Sequence, residues 1–264
     1  MINRLHFNII ANSHEHVTEL LRSAARSGFK EDMFTVFWND IDDIYEPYSK
    51  INEILESSKN EFEILCHQDV RFLADFGCTE LLDMLDLLPR NVSVIGIAGV
   101  TLDNRWYCCV QDETIWPEGD VSFSELKMGV THVDECFICF STKSKTFASR
   151  SLSGFHCYGT DVSLNALSLG HQTALIPFSL KHLSTGNFGE DFHRSLEEFS
   201  NGWSKRAVGY TQRDGYCVIA PSGWCRRFLR RKKVQSFLTR LWKKSIVFYP
   251  NIFVSDRLER LKLK

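Results

Sequence analysis

The sequence predicts an α/β fold, a mostly parallel central sheet with helices on both faces. Two observations carry this. Short apolar runs alternate with segments of helical periodicity over the first hundred residues. Such alternation gives parallel strands linked by crossover helices. Size agrees, because 264 residues at 44% hydrophobic and 24% charged can bury a full core.

The elements follow in order. His6 to Asn12 reads as a buried strand ending in a polar turn. Val17 to Ser27 reads as a helix, with Leu20, Leu21, Ala24 and Ala25 on one side and Gly28 after its end. Met33 to Trp38 is a second strand, stopped by Asn39 and Asp40. Ile44 to Ser58 reads as a helix, and Glu61 to Cys66 as a third strand running into His67-Gln68-Asp69. Thr79 to Leu88 is a helix closed by Pro89. Val92 to Val100 is a strand containing Gly96 and Gly99. The stretch 101–127 reads as irregular. Val133 to Phe140 is a strand, Thr160 to Leu169 a helix, and Thr173 to Pro177 a short strand.

Nine cysteines are scattered along the chain, and no long apolar run opens it. Free thiols in a reducing cytosol are therefore expected. Cys136 and Cys139 form a C-x-x-C, but no second pair follows at zinc spacing, so they read as part of a buried strand. Charge is uneven. Residues 215–264 hold 13 Lys/Arg against 2 Asp/Glu, a charge of +11, which leaves −13 on residues 1–214. The chain thus divides into a body, 1–214, and a basic, helical extension, 215–264.

In parallel sheets, ligands bind beyond the carboxyl ends of the strands. The polar residues there are Asn12, Asn39, Asp40, His67, Gln68, Asp69, Asp134 and Asp161. Asp69 can hold a divalent cation that neutralises a diphosphate; it can equally close a turn or cap a helix. Asp161 opens a helix, where an acid is favoured by the helix dipole; it can equally serve as a general base. His182 offers an imidazole, either as a metal ligand or as a structural side chain.

In their order these segments resemble the family 2 glycosyltransferases of GT-A fold. The match is to a bacterial branch tied to surface polysaccharides. Ile64-Leu65-Cys66-His67-Gln68-Asp69-Val70 resembles that branch's HQD segment, and Gly96-Ile97-Ala98-Gly99-Val100 the glycine-containing strand after it. Val133-Asp134-Glu135 resembles its VDE strand. Phe155-His156-Cys157-Tyr158-Gly159-Thr160-Asp161 resembles its F-H-x-Y-G-x-D segment, and His182-Leu183-Ser184 its closing H-x-S. The resemblance spans roughly residues 5–190.

It implies a nucleotide diphosphate-sugar donor, a UDP-sugar first, whose sugar is moved to a glycan or lipid-linked hydroxyl with inversion. Asn12, Asn39, Asp40, His67 and Gln68 would bind the donor. Asp69 and His182 would hold Mn²⁺ or Mg²⁺. Asp134, Glu135, His156 and Tyr158 would face the sugar or the acceptor, and Asp161 would be the catalytic base. The chain departs from the wider family in having Thr160 beside Asp161 and His67 where a first metal-binding acid is usual. A non-catalytic membrane-surface or assembly protein retaining the fold is the alternative.

Arg226 to Lys244 holds nine Lys/Arg and no acid. Phe228, Phe237, Leu238, Leu241, Trp242 and Ile246 recur near helical spacing. The segment 226–246 therefore reads as an amphipathic helix, either on an anionic membrane surface or packed on the domain with a solvated basic face. No nucleic-acid fold signature accompanies it, so nucleic acid is not the expected partner. The expected location is the cytoplasm, with the tail reaching the inner face of the membrane.

Overall fold

The computed structural model describes residues 4–102, 105–112, 122–144, 146–184 and 189–203, and the backbone of 209–210 and 218–219. The basic segment 226–246 lies outside the described residues.

The first half runs β1 (Leu5–Ala11), α1 (His14–Arg26), a 3₁₀ turn (Glu31–Met33), β2 (Phe34–Trp38), α2 (Pro47–Ser57), β3 (Phe62–His67), β4 (Val70–Phe72), α3 (Cys78–Asp86) and β5 (Val92–Gly96). Then come β6 (Ala98–Thr101), β7 (Trp106–Cys108), β8 (Val110–Asp112), β9 (Lys127–Met128), β10 (Val130–Val133) and β11 (Phe137–Ser141). The described part closes with α4 (Tyr158–Ser168), β12 (Gln172–Leu175), β13 (Leu180–His182), α5 (Glu190–Trp203), β14 (Gly209–Tyr210) and β15 (Val218–Ile219).

The central sheet has seven strands in the order β2-β1-β3-β11-β5-β12-β9. β1 is parallel to β2 and β3, and β12 is parallel to β5. β11 is antiparallel to both β3 and β5, and β9 is antiparallel to β12. Five strands therefore run one way and two the other, a mostly parallel α/β sheet as expected. Three small sheets accompany it: β10-β6-β7, β4-β13-β8 and the pair β14-β15.

Period-2 alternation divides the core between the two faces of this sheet. In β11, Phe137 and Cys139 join a cluster with Phe7, Leu20, Ile64 and Leu81. Ile138 and Phe140 point the other way, to Tyr48, Leu65, Val162 and Phe199. Each fully buried Phe contributes about 1.5–3 kcal/mol. Phe7 is stacked on Phe34 at 4.7 Å and edge-on to Phe29 and Phe72. Cys136 and Cys139 are free and buried on the first face, where burial pushes both thiols well above their usual value. Both are core; Cys139 lies in the expected buried strand, whereas Cys136 sits in the turn before it.

Several boundaries differ from the sequence reading, and the stretch 101–127, read as irregular, holds β7 and β8. α2 begins at Pro47 and not at Ile44, because Glu46 caps it and Pro47 fits the first helical position. Ile41 and Ile44 stand exposed before it. The expected strand Val92–Val100 splits into β5 and β6, which enter different sheets. Gly96 allows this: a Cβ there would meet Val133 Cγ1 at 1.8 Å. The expected strand Val133–Phe140 likewise breaks, and Asp134, Glu135 and Cys136 form a turn between β10 and β11. Among the described residues, no helix is long and apolar enough to cross a membrane.

Candidate active site

β1, β2, β3 and β5 end at one edge of the central sheet, and β11 begins there. At that edge β3 ends in His67, and the turn Gln68-Asp69 leads straight into β4. β13 pairs antiparallel with β4, with His182 opposite Val70. This register delivers His182 beside Asp69 across more than 110 residues of chain, and the Leu183 amide donates to the Asp69 carbonyl at 3.3 Å. The sequence had assigned no strand to Val70–Phe72 or Leu180–His182. Each has only three residues, too few to show alternation.

His182 Nε2 lies 3.3 Å from Asp69 Oδ1 and 3.3 Å from His67 Nδ1. Ser184 Oγ is also 3.3 Å from that nitrogen. One ligand atom from each of His67, Asp69 and His182 falls within a 4.8 Å span. On its other side, His67 Nε2 is 3.1 Å from the Tyr158 hydroxyl, which donates to the Glu135 carbonyl at 3.2 Å. With the phenolic proton committed to Glu135, the bond from His67 to Tyr158 assigns the imidazole proton to Nε2. Nδ1 then turns a lone pair toward Asp69 and His182. A second partner that fixes the tautomer of a metal-ligating histidine is a recurring feature of metal sites.

Charge agrees with this arrangement. Burial, aided by the neighbouring His182, pulls the His67 pKa below its ordinary value and favours the neutral, ligating form. Burial alone would raise the Asp69 carboxyl. Hydrogen bonds from His182 and Ser184 and the charges of both histidines outweigh it and hold that carboxyl well below the usual carboxylate range. The centre can therefore present a carboxylate and two imidazoles to a cation.

Gln68 and Asn12 brace the same edge. Gln68 Oε1 accepts from the amides of Asn12 at 3.0 Å and Ser13 at 2.9 Å, and its Nε2 donates to Asn12 Oδ1 at 2.7 Å. The side chain thereby ties the HQD turn to the start of α1. Asp134 Oδ1 accepts from the Cys136 amide at 3.0 Å and shapes the turn that carries Glu135. Glu135 Oε1 accepts from the Gly159 amide at 3.2 Å, at the head of α4. Cys157 makes the tight entry to that helix with a left-handed φ of 66°. Gly159 is required there, because a Cβ would meet the Val133 carbonyl oxygen at 2.2 Å.

Two of the residues singled out from the sequence are held by internal hydrogen bonds. Asp161 is 0% exposed and faces the interior. Its oxygens accept from the Ser149 amide at 2.6 Å, Ser149 Oγ at 2.7 Å, Asn165 Nδ2 at 3.1 Å and Trp203 Nε1 at 2.7 Å. A carboxylate so enclosed ties α4 to α5 and to the loop before it. A general base must instead reach the proton it takes. Asn39 is likewise a structural tie: its amide donates to the Tyr45 carbonyl at 2.8 Å and accepts from the Tyr45 amide at 2.9 Å. Asp40 is exposed and sits 3.4 Å from His14 Nε2, whose ring stacks on Trp38 at 4.0 Å. His156 is partly buried, edge-on to Phe192 at 5.3 Å, with its carbonyl accepting from the Tyr48 hydroxyl at 3.0 Å. Tyr48, Ser149 and Trp203 escaped the sequence reading. Of these, only Trp203 had a signal, as a large aromatic closing the amphipathic segment 190–203.

The fold also has known counterparts. Superposition on a mannosyltransferase from Pyrobaculum calidifontis, in complex with GDP-Man and Mn²⁺, gives a TM-score of 0.50. That match covers 100% of this chain and 80% of that one, at 8% identity. Superposition on GalNAc-T7, with UDP, GalNAc and Mn²⁺, also gives 0.50, over 94% of this chain and 58% of that one, at 9% identity. The fold is GT-A. No protein-family model matches the chain. A protein of Fuscovulum blasticum named "ATP synthase subunits region ORF 6" is 28% identical over 195 residues, which is 70% of this GT-A chain and 78% of that protein. Its name carries no activity.

Proposed function

We propose that this GT-A protein is a glycosyltransferase. It moves a sugar from a nucleotide diphosphate-sugar to a hydroxyl of a glycan or lipid-linked acceptor, with inversion, in the building of surface polysaccharide. The observation that carries the reading is the cluster of His67, Asp69 and His182 at the strand-end edge, where α/β sheets bind ligands. Two structural counterparts with Mn²⁺ and a nucleotide or nucleotide-sugar support it.

The donor set bears on the ion. Mg²⁺ takes oxygen ligands, whereas two imidazoles favour a transition ion, and the carboxylate with the donor's phosphate oxygens suits Mn²⁺ among these. A bound divalent ion supplies charge that offsets the diphosphate and stabilises its departure. Gln68 and Asn12 hold the turn that sets the ligands, and Tyr158 fixes the ring of His67. Asp40, with His14 and Trp38, borders the ends of β1 and β2, where the nucleoside would lie. The basic charge of 226–246 supports docking on an anionic membrane surface, at the cytoplasmic side, where a lipid-linked acceptor would be met.

A thermal-shift panel of nucleotide diphosphates with and without Mn²⁺ tests the reading. UDP or GDP is expected to raise the melting temperature only when Mn²⁺ is present. The same panel on His182→Ala is expected to show no rise. A wild-type protein indifferent to every nucleotide diphosphate would sink the proposal.

A further inference from the structure

We infer that Glu135 is the catalytic base of this centre: its carboxylate takes the proton of the attacking hydroxyl. The inference rests on the glycosyltransferase reading above and replaces Asp161 in that role.

The other carboxylates near this edge are engaged elsewhere. Asp161 is enclosed by donors from Ser149, Asn165 and Trp203 and has no exposed surface. Asp69 is paired with His182. Asp134 spends Oδ1 on the Cys136 amide. Among the described residues, Glu135 alone combines three properties. It is partly exposed, it is held by the backbone of a helix start, and its own carbonyl binds the Tyr158 hydroxyl that touches His67. A single tyrosine thus joins Glu135 to the cation-binding cluster. The amides of Gly159, Tyr158 and Cys157 hold the carboxylate at the head of α4, and the residue keeps partial exposure.

Its environment suits the task. Burial is the main influence and pushes the Glu135 carboxyl up to about 8, with the charge of Asp134 adding to the rise and the amides of Gly159, Tyr158 and Cys157 opposing it. Tyr48 and Tyr158 are the other ionisable groups whose charge is coupled to it. A base poised near the working pH is the efficient choice. The step balances as a single displacement. The acceptor oxygen bonds to the anomeric carbon as the carbon–oxygen bond to the diphosphate breaks. The bonding pair leaves with the diphosphate, and the hydroxyl proton passes to Glu135.

Water serves as the acceptor in the test, and the whole chain is used with Mn²⁺ and, in turn, UDP-glucose, UDP-N-acetylglucosamine and GDP-mannose. Released nucleoside diphosphate is measured at saturating donor, and donor affinity by calorimetry. Glu135→Gln keeps an oxygen for the Gly159 amide and so keeps the fold. Its release rate is expected to fall on the order of 100-fold with donor affinity within about two-fold. Glu135→Asp, which keeps the charge at shorter reach, is expected to fall between. Wild-type release should rise with pH to a plateau above about 8, and the residual rate of Glu135→Gln should be flat. A Glu135→Gln protein that binds donor and releases diphosphate at the wild-type rate overturns the assignment, and so does a wild type that binds donor without releasing it. Failure of the wild type to bind any of the three donors overturns the glycosyltransferase reading itself.

Discussion

Trp203 Nε1 donates to Asp161 Oδ1 at 2.7 Å, across 42 residues of sequence. The bond fastens the end of α5 to the first turn of α4, inside the core, where both residues are buried. Asp161→Asn swaps an acceptor oxygen for a donor that faces Ser149, Asn165 or Trp203. The expected cost is about 2–4 kcal/mol of stability, read as a lower midpoint in urea unfolding. Trp203→Phe keeps most of the packing and loses the bond, so about 1–3 kcal/mol is expected. An Asp161→Asn protein as stable as wild type but without turnover would return Asp161 to the chemistry.

Asp69→Ala and His182→Ala each remove one donor from the cluster. Mn²⁺ affinity, measured by calorimetry, is expected to fall at least on the order of 10–100-fold in either variant. Equal affinities in wild type and variants would show that the cluster is not a cation site.

Tyr158→Phe deletes only the hydroxyl between His67 and Glu135. The ring stays in the core, so the fold is retained, with a loss of about 1 kcal/mol. Freed from its partner, His67 can turn its ring or change tautomer. Mn²⁺ affinity should drop on the order of 10-fold or more while the unfolding midpoint moves little.

Much of the fold was legible because long strands and helices repeat their signal. Leu20 and Ala24 lie one helical turn apart, and β3 carries the apolar run Ile64-Leu65-Cys66 at its centre. His67, Gln68 and Asp69 could be placed at a strand end for the same reason. What stayed hidden depended on partners distant in sequence. The pairing of β4 with β13 involves three residues each, and only tertiary register brings His182 to Asp69. The inward turn of Asp161 was equally hidden, since an acid in the first turn of a helix looks the same whether its carboxylate meets solvent or Trp203. Asn39 is similar: a turn-closing amide and a ligand-binding amide have one sequence signature.

Stability should depend on pH through Glu135. The unfolded chain releases the proton near the ordinary value of 4.5, and the folded chain keeps it to about 8. Between those values the unfolded state binds fewer protons, so stability falls as pH rises and then levels off. Glu135→Gln removes this slope. At pH 9 the variant is expected to exceed wild type by on the order of 1–3 kcal/mol, with near-equal stability at pH 4. Parallel pH profiles for the two proteins would contradict it.

His67 ends a strand of the seven-stranded sheet, while His182 ends a strand of the small sheet β4-β13-β8. A cation gripped by both would act as a rivet between two separately hydrogen-bonded bodies. Its binding energy would then be shared with the docking of one body on the other. At a hundred times its dissociation constant, such an ion would add about 2.7 kcal/mol to the assembled state. Chelation would be felt first as faster hydrogen exchange along Val70–Phe72 and Leu180–His182, before the large sheet loosens.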